Sequence, residues 1–294
     1  MDLYFEMYSG IAGDMTIAAL LDLGASKEKL VDGINSLKLT GYNLVFDRTK
    51  KNGIDTYNFD VILEGHDHHH DHDHHDHSHS HKHDHGHCHK HEDGHGHHHS
   101  HDHCHEGDHD HDHGHSHDHV HRNLETIEEI INSSGLNDNI KKNALGIFDI
   151  IGDAEAKAHG IAKTEVHFHE VGAIDSIIDI VGTCILLDDL GVENIYFSDL
   201  FEGHGYQMCA HGPMPIPVPA VANILADSDI SLNFIGEEGE HITPTGAAIV
   251  KYFYKKAPAN FKIKKIGLGA GNKDFEKTTN ILRVMEIETD KKKQ

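Results

Sequence analysis

The feature that most constrains the fold is a histidine-rich tract that interrupts the chain between residues 66 and 121. These 56 residues hold 29 of the 35 histidines and 13 of the 49 acidic residues, and Val120 is their only Leu, Ile, Val, Phe or Tyr. Such a segment buries too little apolar surface to offset its chain entropy. We therefore predict one globular domain, formed by residues 1–65 and 122–290, with the tract as a disordered insertion and residues 291–294 as a tail.

Charge and cysteine usage narrow the class of protein. The formal net charge is −24, which makes nucleic acid and an anionic membrane poor partners but suits small metal cations. The four cysteines show no spacing typical of a disulfide framework, and the acidic N-terminus does not resemble a secretory signal. No run approaches the roughly 18 to 20 apolar residues needed to span a bilayer. We expect a soluble, cytoplasmic protein with free thiols.

Outside the tract, predicted strands and helices alternate. The Asn52-Gly53 step predicts a β-hairpin, the glycines of Gly267–Gly271 predict a loop, and the prolines of Pro213–Pro219 predict an extended segment. Apolar periodicity predicts strands at 3–7, 42–47, 55–63, 166–168, 194–200, 232–235, 261–266 and 281–287, and helices at 15–23, 26–37, 123–132, 137–159, 174–190, from 220 onward and 244–254. This alternation favours an α/β fold of mixed α+β layers.

The tract predicts transition-metal binding. Its repeated His-Asp, His-Ser and His-Gly units combine imidazole ligands with a flexible backbone, which suits nickel, copper or zinc without selecting among them. Taken alone, the tract favours metal buffering or storage over catalysis. Two isolated histidines beside glycines are weaker candidate ligands, since lone histidines are more often structural. The candidate ligands in these two groups are His68, His70, His97 and His99, and His204 and His211.

The segment Ser9–Asp14 follows a predicted strand and opens a helix. Free amides at a helix N-terminus attract phosphate, so Ser9, Gly10 and Gly13 are candidate nucleotide contacts. The segment matches neither the dinucleotide nor the P-loop pattern. Asp14 would repel a bare phosphate unless it holds a cation. The alternative is a tight turn in which Ser9 or Asp14 caps the helix.

Two later segments have similar chemistry. Thr243, Thr245 and Gly246 lie at another predicted helix N-terminus, and Gly269 lies in the predicted glycine loop. Three such segments in one α/β domain suggest an anionic ligand held mainly by the backbone.

Ligands for a metal are concentrated between residues 167 and 179. His167 and His169 are two apart on a predicted strand and therefore share a face, and Glu170 follows them. Asp175 begins a helix, and Asp179 lies one turn further on the same side. Carboxylates on an otherwise apolar helix need partners, which favours a nitrogen- and oxygen-ligated metal site. The alternative is that Asp175 caps the helix and the histidines are structural.

Together, these segments resemble the nickel-insertion proteins of nickel-pincer cofactor biosynthesis, the LarC family. The resemblance implies a nickel insertase, a metal chelatase of the lyase class, that places Ni(II) in pyridinium-3,5-bisthiocarboxylic acid mononucleotide. It further implies that CTP is hydrolysed to CMP and pyrophosphate with Mn(II) or Mg(II). The matching stretches are 8–15, 166–179, 211–217, 243–248, 267–271 and 280–283, in the family's order.

The resemblance also suggests roles and partners. Forming the nickel–carbon bond removes a ring proton, for which His167, His169 and Glu170 are candidate acceptors. Family members continue into a C-terminal domain that carries the CTP site, so we expect a separate chain or a frameshifted longer product to supply it. A homo-oligomer is compatible with the sequence. The alternative function is a nickel storage or delivery protein without catalysis, which would need only the tract.

Overall fold

The computed structural model describes residues 1–64, 122–168 and 173–289. The predicted disordered insertion, the tail, His169 and Glu170 lie outside these ranges. The helices are α1 (Gly13–Leu23), α2 (Lys27–Asn35), α3 (Leu124–Ser133), α4 (Asp138–His159), α5 (Ile174–Asp189), α6 (Pro219–Leu225) and α7 (Pro244–Phe253), with a 3-10 helix at Lys163–Glu165. The strands are β1 (Asp2–Glu6), β2 (Tyr42–Lys51), β3 (Ile54–Leu63), β4 (Arg122–Asn123), β5 (His167–Phe168), β6 (Asn194–Phe197), β7 (Leu200–His204), β8 (Tyr206–Cys209), β9 (Gly212–Pro215), β10 (Leu232–Glu238), β11 (Lys262–Ala270) and β12 (Ile281–Glu288).

The central element is a six-stranded mixed sheet in the order β2-β3-β11-β12-β1-β6. β1 pairs antiparallel with β12 and parallel with β6, while β11 pairs antiparallel with β12 and parallel with β3. In the described part of the chain, two-stranded pairs form between β7 and β10, β4 and β5, and β8 and β9. The predicted α/β class with mixed layers is confirmed.

Helix α1 lies at the centre of the core, between the sheet strands β3, β11 and β12 and helix α5. Nine of its 11 residues are buried, as expected of a helix that is apolar on all sides. Helix α4 packs against α5, α6 and α7 and extends this helical layer. The opposite face of the sheet carries a small cluster of Tyr4, Met285 and Ile287. The core is therefore built around the helix that follows the Ser9–Asp14 segment.

Local sequence signals explain most element boundaries. Gly24 ends α1 in the left-handed conformation with φ of 112°, and the Ser26 hydroxyl accepts a hydrogen bond from the Lys29 amide at the start of α2. Asn52 and Gly53 have φ of 50° and 81°, so they form the two-residue turn that joins β2 to β3. The predicted hairpin is confirmed.

The predicted loop at Gly267–Gly271 is wrong. Strand β11 continues through Gly269, which pairs with Leu282 of β12 and Tyr57 of β3. A Cβ on Gly269 would lie 2.1 Å from the carbonyl oxygen of Met15 in α1. The glycines are therefore present because α1 crosses the strand at close range.

A hairpin replaces part of the predicted extended segment. Strand β9 includes Pro213 and Pro215 and pairs with β8 from Tyr206↔Pro215 to Cys209↔Gly212. Proline is tolerated at alternate positions of such a strand because alternate amides of a two-stranded ribbon point away from the partner. The rest of the segment leads into α6, close to the predicted start at residue 220.

The described helices include none that is long and apolar enough to cross a membrane.

Candidate functional site

Three helix N-termini meet at one cleft, and each contributes a predicted site residue. Asp14 comes from α1, Asp175 from α5 and Thr245 from α7, and all three line a cavity of about 250 Å³. Helix N-termini carry a partial positive charge and attract anions. We call this cavity the acidic cleft and define it by Asp14, Asp175 and Asp179.

Backbone hydrogen bonds join the two segments that precede α1 and α7. The Ile11 amide donates to the carbonyl of His241 at 2.9 Å, and the Thr243 amide donates to the carbonyl of Ile11 at 3.1 Å. A Cβ on Gly10 would lie 2.0 Å from the His241 carbonyl oxygen, and one on Gly246 would lie 2.2 Å from the Ile11 carbonyl oxygen. Glycine at these two positions lets the segments approach closely enough to pair.

Helices α1 and α5 contact each other through Asp179. The amide of Asp14 donates to the Asp179 carboxylate, and a Cβ on Gly13 would lie 2.5 Å from the Cβ of Asp179. Asp14 accepts a hydrogen bond from the Met15 amide through its own Oδ1 at 2.8 Å. The residue at the N-cap of α1 is Ala12, which makes no side-chain capping bond. The carboxylates of Asp14 and Asp179 therefore accept the hydrogen bonds of the first free amides of α1.

The three carboxylates are incompletely compensated. The Oδ1 atoms of Asp175 and Asp179 are buried and have no hydrogen-bond partner. Burial raises the pKa of Asp14 to about 6, with the charges of Asp60 and Asp175 adding to the effect. Burial also raises the pKa of Asp175, and burial together with the charge of Asp14 raises the pKa of Asp179 well above its ordinary value. The pKa values of the three carboxyls are therefore raised first by burial and then by the negative charges of neighbouring aspartates.

A divalent cation would relieve this repulsion. Carboxylate and hydroxyl oxygens are the ligands that hard cations such as Mg²⁺ and Mn²⁺ prefer. As placed, no three His, Cys, Asp or Glu side chains within residues 1–64, 122–168 and 173–289 already form a closed metal site. The acidic cleft therefore presents convergent ligands that would have to draw together around an ion.

Two of the amides expected to contact a phosphate already donate hydrogen bonds within the chain. The Gly10 amide donates to the Met7 carbonyl at 3.0 Å, and the Gly246 amide donates to the Thr243 hydroxyl at 3.2 Å. The Thr243 and Thr245 hydroxyl oxygens lie 2.9 Å apart at the rim of the cleft. Gly269 lies in β11 under α1 and does not line the cleft. A phosphate would reach this cleft through a bound cation and the two hydroxyls.

The predicted histidine ligands are placed apart from the carboxylates. His167 is exposed on β5, opposite Asn123 of β4, and His204 is exposed at the end of β7. His211 lies in the turn between β8 and β9, next to His159. The described histidines do not line the acidic cleft. The structure thus brings Asp14, from one predicted segment, together with Asp175 and Asp179, from another, and places His167, His204 and His211 elsewhere.

Sequence reasoning missed three residues of this region. Asp60 of β3 is close enough for its charge to raise the pKa of all three cleft aspartates. Glu240 and Cys209 line the cleft. A single carboxylate inside the apolar run Phe59–Leu63 was the available signal for Asp60. Cys209 carried no local signal, because the β8–β9 hairpin that positions it was not predicted.

Comparison with known proteins decides the family. The family model described as "Nickel insertion protein" matches residues 3–294. The chain belongs to this nickel insertion protein family.

Curated relatives in the nickel insertion family share substantial identity with this chain. A protein of Alkaliphilus metalliredigens named pyridinium-3,5-bisthiocarboxylic acid mononucleotide nickel insertion protein is 46% identical over 97% of this chain and 60% of its own length. A Clostridium acetobutylicum protein of the same name is 45% identical over 96% of this chain and 63% of its own length. A "putative nickel insertion protein" of Dictyoglomus thermophilum is 36% identical over 96% of the chain.

The chain spans about 60% of the length of these family relatives. No solved structure matches it.

Proposed function

We propose that this chain supplies the cation- and nucleotide-holding part of an enzyme that inserts Ni(II) into pyridinium-3,5-bisthiocarboxylic acid mononucleotide, giving the nickel-pincer nucleotide. The observation that carries the proposal is the acidic cleft, where three buried carboxylates lie together at helix N-termini and two of them have an oxygen without a hydrogen-bond partner. The names of the family relatives supply the substrate. We place the protein in the cytoplasm.

The cleft residues have distinct roles in this proposal. Asp175 and Asp179 hold the divalent cation through the carboxylate oxygens that lack protein partners. The Thr243 and Thr245 hydroxyls, at the rim, contact the phosphate of the mononucleotide. Asp14, with a pKa raised to about 6, is a suitable acceptor for the ring proton released when the nickel–carbon bond forms, because its pKa is close to neutral pH.

His167, His169 and Glu170 remain proposed participants in proton transfer. His167 is exposed on β5, and the segment that follows it leads directly into α5 and Asp175. Alanine at all three positions should impair insertion at saturating nickel. Unimpaired insertion in this triple variant would remove them from the mechanism and leave Asp14 as the proton acceptor.

We further propose that insertion depends on CTP with Mn(II) or Mg(II), that the enzyme belongs to the lyase class, and that a C-terminal part supplies the CTP site. The acidic cleft offers oxygen ligands for a hard cation, and no Lys or Arg of the described residues lines it. Lys273 lies beside it, where its ammonium donates to Gln207 of the lining at 3.2 Å. A triphosphate with its larger charge is better accommodated by a separate site.

The test is reconstitution of insertion. The chain, alone and with a C-terminal part taken from a relative, is incubated with Ni(II), Mn(II), CTP and the bisthiocarboxylate mononucleotide, and the product is followed by mass spectrometry. Product only with the C-terminal part supports the two-part insertase. Product from the chain alone would place the CTP site within these 294 residues. No product in either case would overturn the proposal.

A second candidate function is nickel storage or delivery without catalysis. The observation that favours it is the composition of residues 66–121, with 29 histidines. Storage needs only the tract, whereas insertion needs the acidic cleft. An Asp175→Asn variant that binds as many nickel ions as the unmodified chain but forms no product would separate the two functions in favour of insertion.

A further inference from the structure

A second cavity lies beside the acidic cleft and has different ligand chemistry. It has a volume of about 240 Å³, and its lining includes Glu155 and His159 from α4 and Cys209, His211 and Met214 from the β8–β9 hairpin. We call it the histidine cavity and define it by these five residues. Cys209 and Pro244 line both cavities, so the two cavities are neighbours with a thiol between them.

The two histidines approach closely from separate elements. Their ring centroids are 4.9 Å apart with an angle of 51° between the planes. His159 ends α4, and its Nε2 lies 3.5 Å from the Glu155 carboxylate one turn earlier. His211 reaches this ring from the β8–β9 hairpin, so two imidazoles and one carboxylate lie together at the cavity.

Two imidazoles at this separation can bind the same metal ion. Nitrogen and sulfur donors suit borderline cations such as Ni²⁺, whereas the oxygen ligands of the acidic cleft suit Mg²⁺ and Mn²⁺. The histidine cavity offers two imidazoles, a thiol, a thioether and one carboxylate. As placed, these groups do not form a closed three-ligand metal site within the described residues. A site with few ligands releases its metal ion readily, and a site that passes nickel on must do so.

We propose that the histidine cavity binds Ni(II) through His159 and His211, and that nickel passes from there to the acidic cleft by way of Cys209. The inference of transfer rests on the proposed function, because it takes nickel as the substrate of the reaction in the cleft. The binding site itself rests on the two rings and the shared thiol. The hard cation and the nickel ion would then occupy separate, adjoining places.

The first experiment measures nickel binding without requiring insertion. The full chain is alkylated with iodoacetamide with and without Ni(II), and modification of Cys209 is read from its own peptide by mass spectrometry, which separates it from the tract cysteines. With nickel at about ten times its dissociation constant, alkylation of Cys209 should slow roughly tenfold, because only the metal-free fraction reacts. Mg(II) should give no protection, because it prefers oxygen ligands.

Matched variants locate the effect. His211→Gln, in an exposed turn, and His159→Gln should each abolish the protection of Cys209 by Ni(II). His204→Gln, another exposed histidine that lies outside the histidine cavity, should leave the protection intact. Cys209 that reacts equally fast with and without nickel, or protection that persists in the His159→Gln/His211→Gln chain, would overturn the binding site.

The second experiment tests transfer once insertion has been reconstituted. His211→Gln should raise the KM for Ni(II) and leave kcat unchanged, because the acidic cleft is intact. An unchanged KM together with lost protection of Cys209 would overturn the transfer role. A chain that shows nickel protection but forms no product would overturn the proposed function while supporting the metal site, so the two failures are distinguishable.

Discussion

At the residue scale, the acidic cleft concentrates carboxylates that disfavour one another. Asp179 is the most constrained of them, because it accepts the Asp14 amide, contacts Gly13 closely and has one oxygen with no partner. This arrangement destabilises the metal-free chain, since each buried negative charge raises the pKa of its neighbours. Such groups commonly mark functional sites rather than structural ones.

Replacing Asp179 with Asn should stabilise the metal-free chain and abolish insertion. The amide oxygen of Asn can still accept the Asp14 amide, while the repulsion with Asp14 and Asp175 disappears. We expect the free energy of unfolding at neutral pH to rise, measured by urea denaturation. The control is Glu128→Gln on the exposed face of α3, which should change little. A less stable Asp179→Asn chain would contradict a cleft dominated by charge repulsion.

The stability of the metal-free chain should also fall as the cleft ionises. The folded-state pKa of Asp14 is raised from 3.8 to about 6, so the folded chain binds this proton more tightly than the unfolded chain. The stabilisation is fully present below pH 3.8 and is lost as pH rises through about 6.

The measurement is urea denaturation across this pH range for the chain and for Asp14→Asn. The difference between them should shift in favour of Asp14→Asn as pH rises. Mg(II) should reduce that difference at neutral pH, because it binds the ionised carboxylates and suits imidazole poorly. A difference that does not change with pH would show that Asp14 is not buried against the other carboxylates.

At the element scale, local signals predicted the helices and the β2–β3 hairpin correctly, because each depends on residues close in sequence. The glycine segment at 267–271 and the β8–β9 hairpin were missed for a common reason. The role of Gly269 depends on α1, and that of Pro213 depends on pairing with β8. Asp14, Asp175 and Asp179 could be nominated from their residue types. Their meeting at one cleft depends on α1, α5 and α7 packing together, which no local pattern encodes.

Replacing Gly269 with Ala should therefore destabilise the fold and not act through a ligand. Its Cβ would lie 2.1 Å from the Met15 carbonyl oxygen, an atom of the α1 backbone that cannot move aside cheaply. We expect a loss of roughly 1 to 3 kcal/mol in the free energy of unfolding. The control is Gly236→Ala in β10, where the nearest atom to the new Cβ is 3.9 Å away. If the two variants are equally stable, close packing against α1 does not explain Gly269, and it becomes a candidate ligand contact again.

At the scale of the whole molecule, our proposal gives nickel capacity to the histidine tract between β3 and β4, and the chemistry to the acidic cleft. Replacing the histidines of residues 66–121 with glutamine keeps the length of the insertion and removes its imidazole ligands. We expect the number of nickel ions bound, measured by atomic absorption, to fall sharply. The melting temperature should not change, and insertion at saturating nickel should persist. Complete loss of insertion in a folded variant would place the essential metal site within the tract.

The pairing of Ile11 with Ile242 has a consequence for the order of events during synthesis. The acidic cleft needs residues from both ends of the chain, and β1 reaches its neighbours in the sheet only after β6 and β12 have been made. The histidine tract leaves the ribosome after β1 and Ile11 but before β6, Ile242 and β12. A growing chain therefore exposes this tract before the cleft can form around Ile242, so in our proposal an unfinished polypeptide can already carry metal at that stage.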